Sequence, residues 1–269
     1  AGLTDVGKKR EGNEDSYFLD EANHLYVVAD GMGGHQAGEV ASGLVVATIQ
    51  SLVSDDAEDA DGYDTMLSPQ ANRLAAWVRA ANKTVYEKSR EREDYRGMGS
   101  TLAAVYYTDT TFIAANVGDS PVFLVRDGSI EPLSVTHTVA AELSLSNPEK
   151  LKQLDEKIRH MLTRAIGVGA EVTPDVCELQ CFKGDIIIIC SDGLSNKVPA
   201  DEMADIVSNA TPEAACRTFV DLANQRGGED NITVIVLKVM GLDIRQSLLL
   251  RFFEKLKLIA GGFFNKKTN

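Results

Sequence analysis

The run Val27-Val28-Ala29-Asp30-Gly31-Met32-Gly33-Gly34-His35 constrains the fold of this chain more than any other stretch. Apolar residues that end on one carboxylate and pass into a glycine-rich turn spell a buried strand delivering Asp30 to an exposed rim. Glycine tolerates close backbone approach, so the Gly31 carbonyl can point inward beside that carboxylate. Two familiar glycine loops do not fit. Counted from Gly31 and Gly33, the dinucleotide fingerprint needs glycine where Gln36 stands, and the phosphate loop lacks its Gly-Lys-Ser/Thr ending. An ordinary strand-to-helix turn explains the stretch in isolation just as well, so the rest of the chain decides.

The same grammar recurs three times. Asp119 follows Gly118, Asp192 precedes Gly193, and Asp230 introduces the apolar run 232–239. One aspartate at a strand terminus is a turn residue, whereas four with the same context suggest one site assembled by the fold. Carboxylates and backbone carbonyls, without cysteine or imidazole, are hard oxygen donors that suit magnesium or manganese better than zinc or copper. Crowded carboxylates also need cations to offset their repulsion.

The intervening pattern mixes strands with paired helices. Residues 1–9 read as a short first strand, followed by the charged turn Arg10 to Asp15. Val40, Leu44, Ala47 and Leu52 fall near helical spacing over 39–54, and Ser68-Pro69 caps a second helix with Leu74, Val78, Ala81 and Val85 inward. Strand-like runs cover 100–107, 111–117 and 121–126, with a return from Ser129 through the hairpin dipeptide Asp127-Gly128. Residues 134–163 break that rhythm with a polar, partly helical excursion. Strands resume at 171–180 and 185–190, and helices from Pro199 (Met203, Ile206 and Val207 inward) and Thr211 (Ala215, Phe219 and Leu222 inward) precede the last strand. The acidic stretch 55–64 fails as a calcium loop. With Gly62 at its sixth position, Ala57 and Ser68 fall where an aspartate and a glutamate are required. Strands interleaved with helix pairs predict an α+β sandwich.

The formal net charge of −13 argues against sequence-independent binding to nucleic acid. The four cysteines (177, 181, 190, 216) lack a histidine at zinc-site spacing and read as reduced thiols, in keeping with a cytoplasmic location. No signal peptide opens the chain and no run of about 18 apolar residues spans a membrane.

Seven segments, in order, carry a family resemblance: Arg10 to Asp15, Asp30 to Gly34, Gly99-Ser100-Thr101, Gly118-Asp119-Ser120, Thr163-Arg164-Ala165-Ile166-Gly167, Ser191-Asp192-Gly193 and Asp230-Asn231-Ile232-Thr233. Together they resemble the metal-dependent serine/threonine protein phosphatases of type two C, in their bacterial branch. The resemblance implies a four-layer α-β-β-α sandwich, two central antiparallel sheets flanked by helix pairs, over residues 1–240, with a flap at about 138–160. It also implies a pair of Mn2+ or Mg2+ ions. Asp30 bridges them, Asp192 and Asp230 hold the first, and the Gly31 carbonyl and Glu14, the latter through water, serve the second. Asp119 joins Asp192 at a third, weaker ion. Arg10 takes the substrate phosphate, and Asp15 orients the attacking water that the metals activate.

Two positions depart from that pattern. Many relatives carry a histidine directly after the Asp-Gly pair as general acid, whereas this chain has Met32 there and offers His35 instead. Thr136 stands where the family places an aspartate before the histidine, which predicts altered anchoring of the flap. The expected partners are phosphorylated proteins, and the chain is expected to be a monomer. A catalytically weak pseudophosphatase that binds phosphoproteins is the alternative reading.

Residues 241–269 change character. Six basic residues against two acidic ones give +4, leaving −17 for the remainder, and Leu248, Leu249, Phe252, Phe253 and Leu256 make the segment apolar as well. A basic amphipathic tail of this kind suits docking on its own acidic domain, an anionic membrane or a partner.

Overall fold

The computed structural model describes residues 1–33, 37–54, 63–108 and 110–241. The chain opens with β1 (Gly2–Asp5), β2 (Asp15–Asp20) and β3 (Leu25–Met32), then forms two long helices, α1 (Ala37–Ser54) and α2 (Pro69–Ser89). It returns through β4 (Gly99–Ser100), β5 (Leu102–Tyr107), β6 (Thr111–Val117), β7 (Val122–Arg126) and β8 (Ser129–Pro132). Three short helices, α3 (Val139–Ser146), α4 (Pro148–Lys152) and α5 (Glu156–Arg159), make up the flap. Then come β9 (Asp175–Gln180), β10 (Ile186–Cys190), α6 (Asp192–Ser195), α7 (Ala200–Asn209), α8 (Pro212–Gln225) and β11 (Ile232–Lys238). One sheet has the order β1-β11-β10-β7-β8 and the other β2-β3-β5-β6-β9, with β4 paired to β3 and every pairing antiparallel.

Alternation along the strands builds the layers. Val28, Ala103, Val105, Ile187, Ile189 and Ile235 meet between the two sheets. Their neighbours Val27, Ala29, Leu102 and Ala104 turn the other way, against Ala41, Val45 and Ile49 of α1 and Leu74, Val78 and Val85 of α2. On the far side Ile186, Ile188, Cys190 and Val234 pack against Met203 and Val207 of α7 and Ala215 and Phe219 of α8. The result is the expected four-layer sandwich. Each fully buried Ile or Phe contributes about 1.5–3 kcal/mol, and β10, whose five residues are all buried, lies at the centre of that gain.

Local chemistry explains the boundaries. Ser68 Oγ accepts from the Ala71 amide at 3.1 Å, and Pro69 opens α2 where a missing N–H costs nothing. Thr211 Oγ1 caps α8 in the same way through the Ala214 amide. Asp127 and Gly128 both take positive φ, 51° and 78°, which matches the twist of the β7–β8 hairpin.

Three expectations need correction. The first strand stops at Asp5, because Gly7 takes φ 78° and turns the chain back over Gly228. The later strand begins at Asp175 rather than at residue 171. In α1 the fully buried stripe is Ala37, Ala41, Val45 and Ile49; Ala47 is exposed, and Val40, Leu44 and Leu52 sit at the edge. Small alanines let α1 lie close on β3, and that contact sets the phase.

The thiols of all four cysteines are free. No helix among the described residues is long and apolar enough to cross a membrane. His35, most of the acidic stretch 55–64, and all of the tail beyond Gly241 lie outside the described residues.

Candidate metal centre

Antiparallel pairing sets Asp15, at the start of β2, directly opposite Asp30 near the end of β3. Asp30 is clamped from both sides of its peptide. Its N–H donates to Thr101 Oγ1 at 3.0 Å, while its carbonyl accepts from the Thr101 amide at 2.8 Å and from Ser100 Oγ at 3.0 Å. Gly31 has to be glycine, since a Cβ there would sit 2.1 Å from the Gly38 carbonyl oxygen. Asn231 ties the opening turn to β11: its Oδ1 accepts from the Glu14 amide at 2.8 Å, and its Nδ2 donates to the Val6 and Gly12 carbonyls at 3.0 Å each.

These constraints converge on a cavity of about 350 Å3 lined by Arg10, Glu14, Asp30, Gly31, Asp119, Asp192 and Asp230. Met32, Gly33, Thr101, His160 and Leu162 complete its wall. The cavity thus gathers every expected site residue that the structure describes except Asp15. That residue lies just beneath, buried, with Oδ2 accepting from Ser191 Oγ at 2.8 Å and Thr233 Oγ1 at 2.6 Å.

The electrostatics are those of anions packed too closely. Burial pushes the Asp15 carboxyl from 3.8 up to about 6, against the pull of its Thr233 and Ser191 hydrogen bonds. Burial, then Asp192, pushes Asp119 up to about 7. Asp30 is raised well above its ordinary range, first by burial and then by Asp15, Asp192, Asp119 and Asp230. The Asp192 carboxyl is raised in the same direction, first by burial and then by Asp230. Glu14 is raised as well, mainly by burial. Arg10 is the only lysine or arginine lining the cavity among the described residues, with Nη2 at 2.7 Å from Asp230 and Nη1 at 3.7 Å from Glu14.

No group of three acidic, histidine or cysteine side chains among the described residues stands ready-made around one ion. One carboxylate oxygen, Asp230 Oδ2, is engaged by the Arg10 guanidinium at 2.7 Å. Even so, the donors suit a hard divalent cation. They are carboxylates and a carbonyl, they repel one another, and Asp15 Oδ1 is buried with no partner at all.

Sequence reasoning did not single out His160 or Leu162 as cavity residues. They come from the end of the flap and reach the cavity through the bridge between Thr138 and Leu162. Thr233 and Ser191 were visible as parts of motifs, but their grip on Asp15 was not, because it joins residues 218 and 176 positions apart.

A family model described as protein phosphatase 2C matches residues 8–228. The serine/threonine phosphatase stp of Listeria welshimeri is 34% identical over 244 residues, covering 87% of this chain and 93% of that protein. Among solved structures, the serine/threonine phosphatase PstP/Ppp of Mycobacterium tuberculosis superposes with a TM-score of 0.78 at 32% identity, covering 90% of this chain and 98% of that one. A catalytic domain of PstP in complex with two manganese ions gives 0.76 at 32% identity over 90% and 97%. With the family model matched over residues 8–228, a relative 34% identical over most of both chains and a fold shared with solved phosphatases, the chain belongs to the protein phosphatase 2C family.

Proposed function

We propose that this chain is a Mn2+- or Mg2+-dependent protein serine/threonine phosphatase. The observation that carries the reading is the cavity itself, in which mutually repelling carboxylates from both sheets surround a single arginine. Divalent ions held there supply the positive charge that lowers the pKa of water and offsets charge on phosphoryl oxygens during in-line attack.

The roles we assign rest on the family resemblance, and the shared cavity is compatible with them. Asp30 would bridge two core ions; Asp192 and Asp230 would hold the first, and the Gly31 carbonyl with Glu14 the second. Asp119 would join Asp192 at a third and weaker ion. Arg10, whose guanidinium contacts Asp230 and Glu14, would meet the substrate phosphate with its planar fork. Asp15, held by Ser191 and Thr233, keeps an unpartnered oxygen with which to orient the attacking water. The assignment of His35 as proton donor to the leaving oxygen rests on sequence alone.

The catalytic domain is residues 1–240, and its substrates are phosphorylated proteins carrying phosphoserine or phosphothreonine. We place the protein in the cytoplasm, as a monomer without nucleic-acid partners, with the basic tail 241–269 as its contact to an anionic membrane or a protein partner.

Hydrolysis of a phosphothreonine peptide by wild type and by Asp192→Asn, with manganese and with chelator, tests the reading. Manganese-dependent turnover that drops by at least about two orders of magnitude in the variant supports it. Wild-type activity equal to the variant's under every metal condition would point to a phosphoprotein-binding pseudophosphatase.

A further inference from the structure

The flap leaves and re-enters the fold at a single point. Thr163 N–H donates to the His137 carbonyl at 2.9 Å, and Val139 N–H to the Met161 carbonyl at 3.0 Å, so His137 and Thr163 form the root of the excursion. His137 is only 1% exposed. Its ring is gripped at both ends. Nδ1 lies 3.0 Å from the Gly118 amide nitrogen, and Nε2 lies 2.7 Å from Asp175 Oδ2.

The chemistry of these contacts allows one ring state. A backbone N–H can only donate, so Nδ1 has to be bare, and the ring proton sits on Nε2, where it donates to Asp175. Burial drives the imidazole toward its neutral form, which is the form the Gly118 contact requires. Asp175 is held in turn by Arg164, with Nη1 at 3.1 Å and Nη2 at 3.2 Å from its two oxygens, and Arg164 Nη1 also donates to the Thr173 carbonyl at 3.0 Å. Against the upward pull of burial, Arg164 and His137 keep the Asp175 carboxyl below its ordinary range.

At the other end of this chain of contacts is the residue before Asp119. Gly118 takes φ 104°, a conformation that favours glycine, and a Cβ there would fall 2.7 Å from Thr101 Cγ2. Both of its hydrogen-bonding groups are claimed by His137: the amide by Nδ1, and the carbonyl by the His137 N–H at 2.9 Å. A rigid Gly118 leaves Asp119 little freedom in how it enters the cavity.

We infer that His137 is a positioning residue: the Arg164–Asp175–His137 chain fixes the Nε2–H tautomer, and the bare Nδ1 clamps the Gly118 amide so that Asp119 is presented to the metal cavity. Asp175 thereby supplies the carboxylate partner for His137, and the exposed Thr136 is not called upon for it. The same clamp joins the flap root to Asp119, so flap anchoring and the Asp119 ion site share one support. The inference rests on the reading of Asp119 as ligand of a third, weaker ion.

Two measurements on the full chain test it. In metal-free protein labelled with 15N-histidine, the His137 ring should show a bare Nδ1 and a protonated Nε2. Calorimetric titration with Mn2+ then compares wild type, His137→Asn and His137→Leu, each checked for folding by its thermal transition, with Asp119→Asn identifying the weak step. Asparagine Oδ1 can stand in for Nδ1 and accept the Gly118 amide, whereas leucine leaves that amide unmet. Leucine should weaken the Asp119-dependent ion by about tenfold or more, a scale set by one lost hydrogen bond to a buried amide. The two tighter ions should stay within about threefold, and asparagine should recover most of the loss.

A ring protonated on Nδ1 overturns the inference, as does a leucine variant that binds the weak ion like wild type, or an asparagine variant no better than leucine. Should the leucine variant not fold, His137→Gln replaces it. Glutamine can reach Asp175 but not the Gly118 amide, so glutamine must be the weaker binder of the two amides. A wild type that binds only two ions removes this inference and leaves the phosphatase reading intact. A wild type that binds no Mn2+ removes both.

Discussion

Asp119→Asn should stabilise the chelated protein, and the size of the effect can be worked out. Burial, then the Asp192 carboxylate, moves the Asp119 carboxyl from 3.8 to about 7 in the metal-free fold. A carboxyl raised on folding gives stability that is fully present below its unfolded value and is lost as pH rises through its folded value. Over that window of about 3 pH units the full loss is about 4 kcal/mol. Asparagine has nearly the same shape and no proton to lose, so its stability lacks that slope.

The difference between the two proteins should therefore widen with pH. Asp119 is partly open to solvent, and screening reduces the full figure, leaving a gap that grows by about 2 kcal/mol between about pH 5 and about pH 8. For a chain of this length that is a rise of about 4–8 °C in the Tm of the variant relative to wild type. Thermal melts in chelator at both pH values, at low ionic strength, read it directly. Added Mn2+ at the higher pH should close or reverse the gap, because the variant then forgoes an ion contact. A variant that melts no higher than wild type at the higher pH, or a gap of equal size at both pH values, would refute the electrostatic account of the cavity.

Three other substitutions probe the frame. Gly193→Ala places a Cβ 1.9 Å from the Asn231 carbonyl oxygen, a backbone atom that cannot rotate away, so urea denaturation should show a loss of about 3 kcal/mol or more and Mn2+-dependent activity should vanish. Thr233→Val removes the donor 2.6 Å from Asp15 Oδ2 and should lower stability by about 1–3 kcal/mol in the same assay. Asp185→Ala acts at the opposite end of β10, where the carboxylate holds Arg126 Nε and Nη2 at 2.8 and 2.7 Å and the Phe182 amide at 2.7 Å. It should cost about 1–3 kcal/mol, yet leave kcat of the folded protein unchanged.

The acidic cavity was legible in the sequence because its grammar is local. A strand that ends on aspartate beside glycine announces both the ligand and the close approach behind it, as Gly31 against Gly38 and Gly193 against Asn231 illustrate. The phase of α1 was not legible, since Val40, Leu44, Val45, Val46 and Ile49 make that helix apolar nearly all round. The choice fell to Ala37 and Ala41, whose small size only matters once β3 lies underneath. Asp175 was invisible for a different reason. It lies 38 residues from His137, opens a strand with no glycine beside it, and gains its meaning only when β9 pairs with β6 so that Asp175 faces Asn116.

The provenance of the cavity carboxylates would connect folding to metal binding. Asp15 and Asp30 come from one sheet, on β2 and β3, Asp119 from the β6–β7 connection between the two sheets, and Asp192 and Asp230 flank β10 and β11 of the other. Between the sheets lies a layer of aliphatic side chains with no directional preference of its own, so the apolar contacts hold the sheets together without dictating the spacing of these carboxylates to a fraction of an ångström. Hydrogen bonds that cross between the sheets do supply some of that register: Ser191 and Thr233 reach Asp15 across the divide, and Asn231 reaches Glu14. They hold carboxylates from the two sheets around one cavity, where burial and neighbouring charge raise their pKa values. Divalent cations bound there would offset the repulsion between these carboxylates, so metal affinity and the docking of the two sheets should rise and fall together.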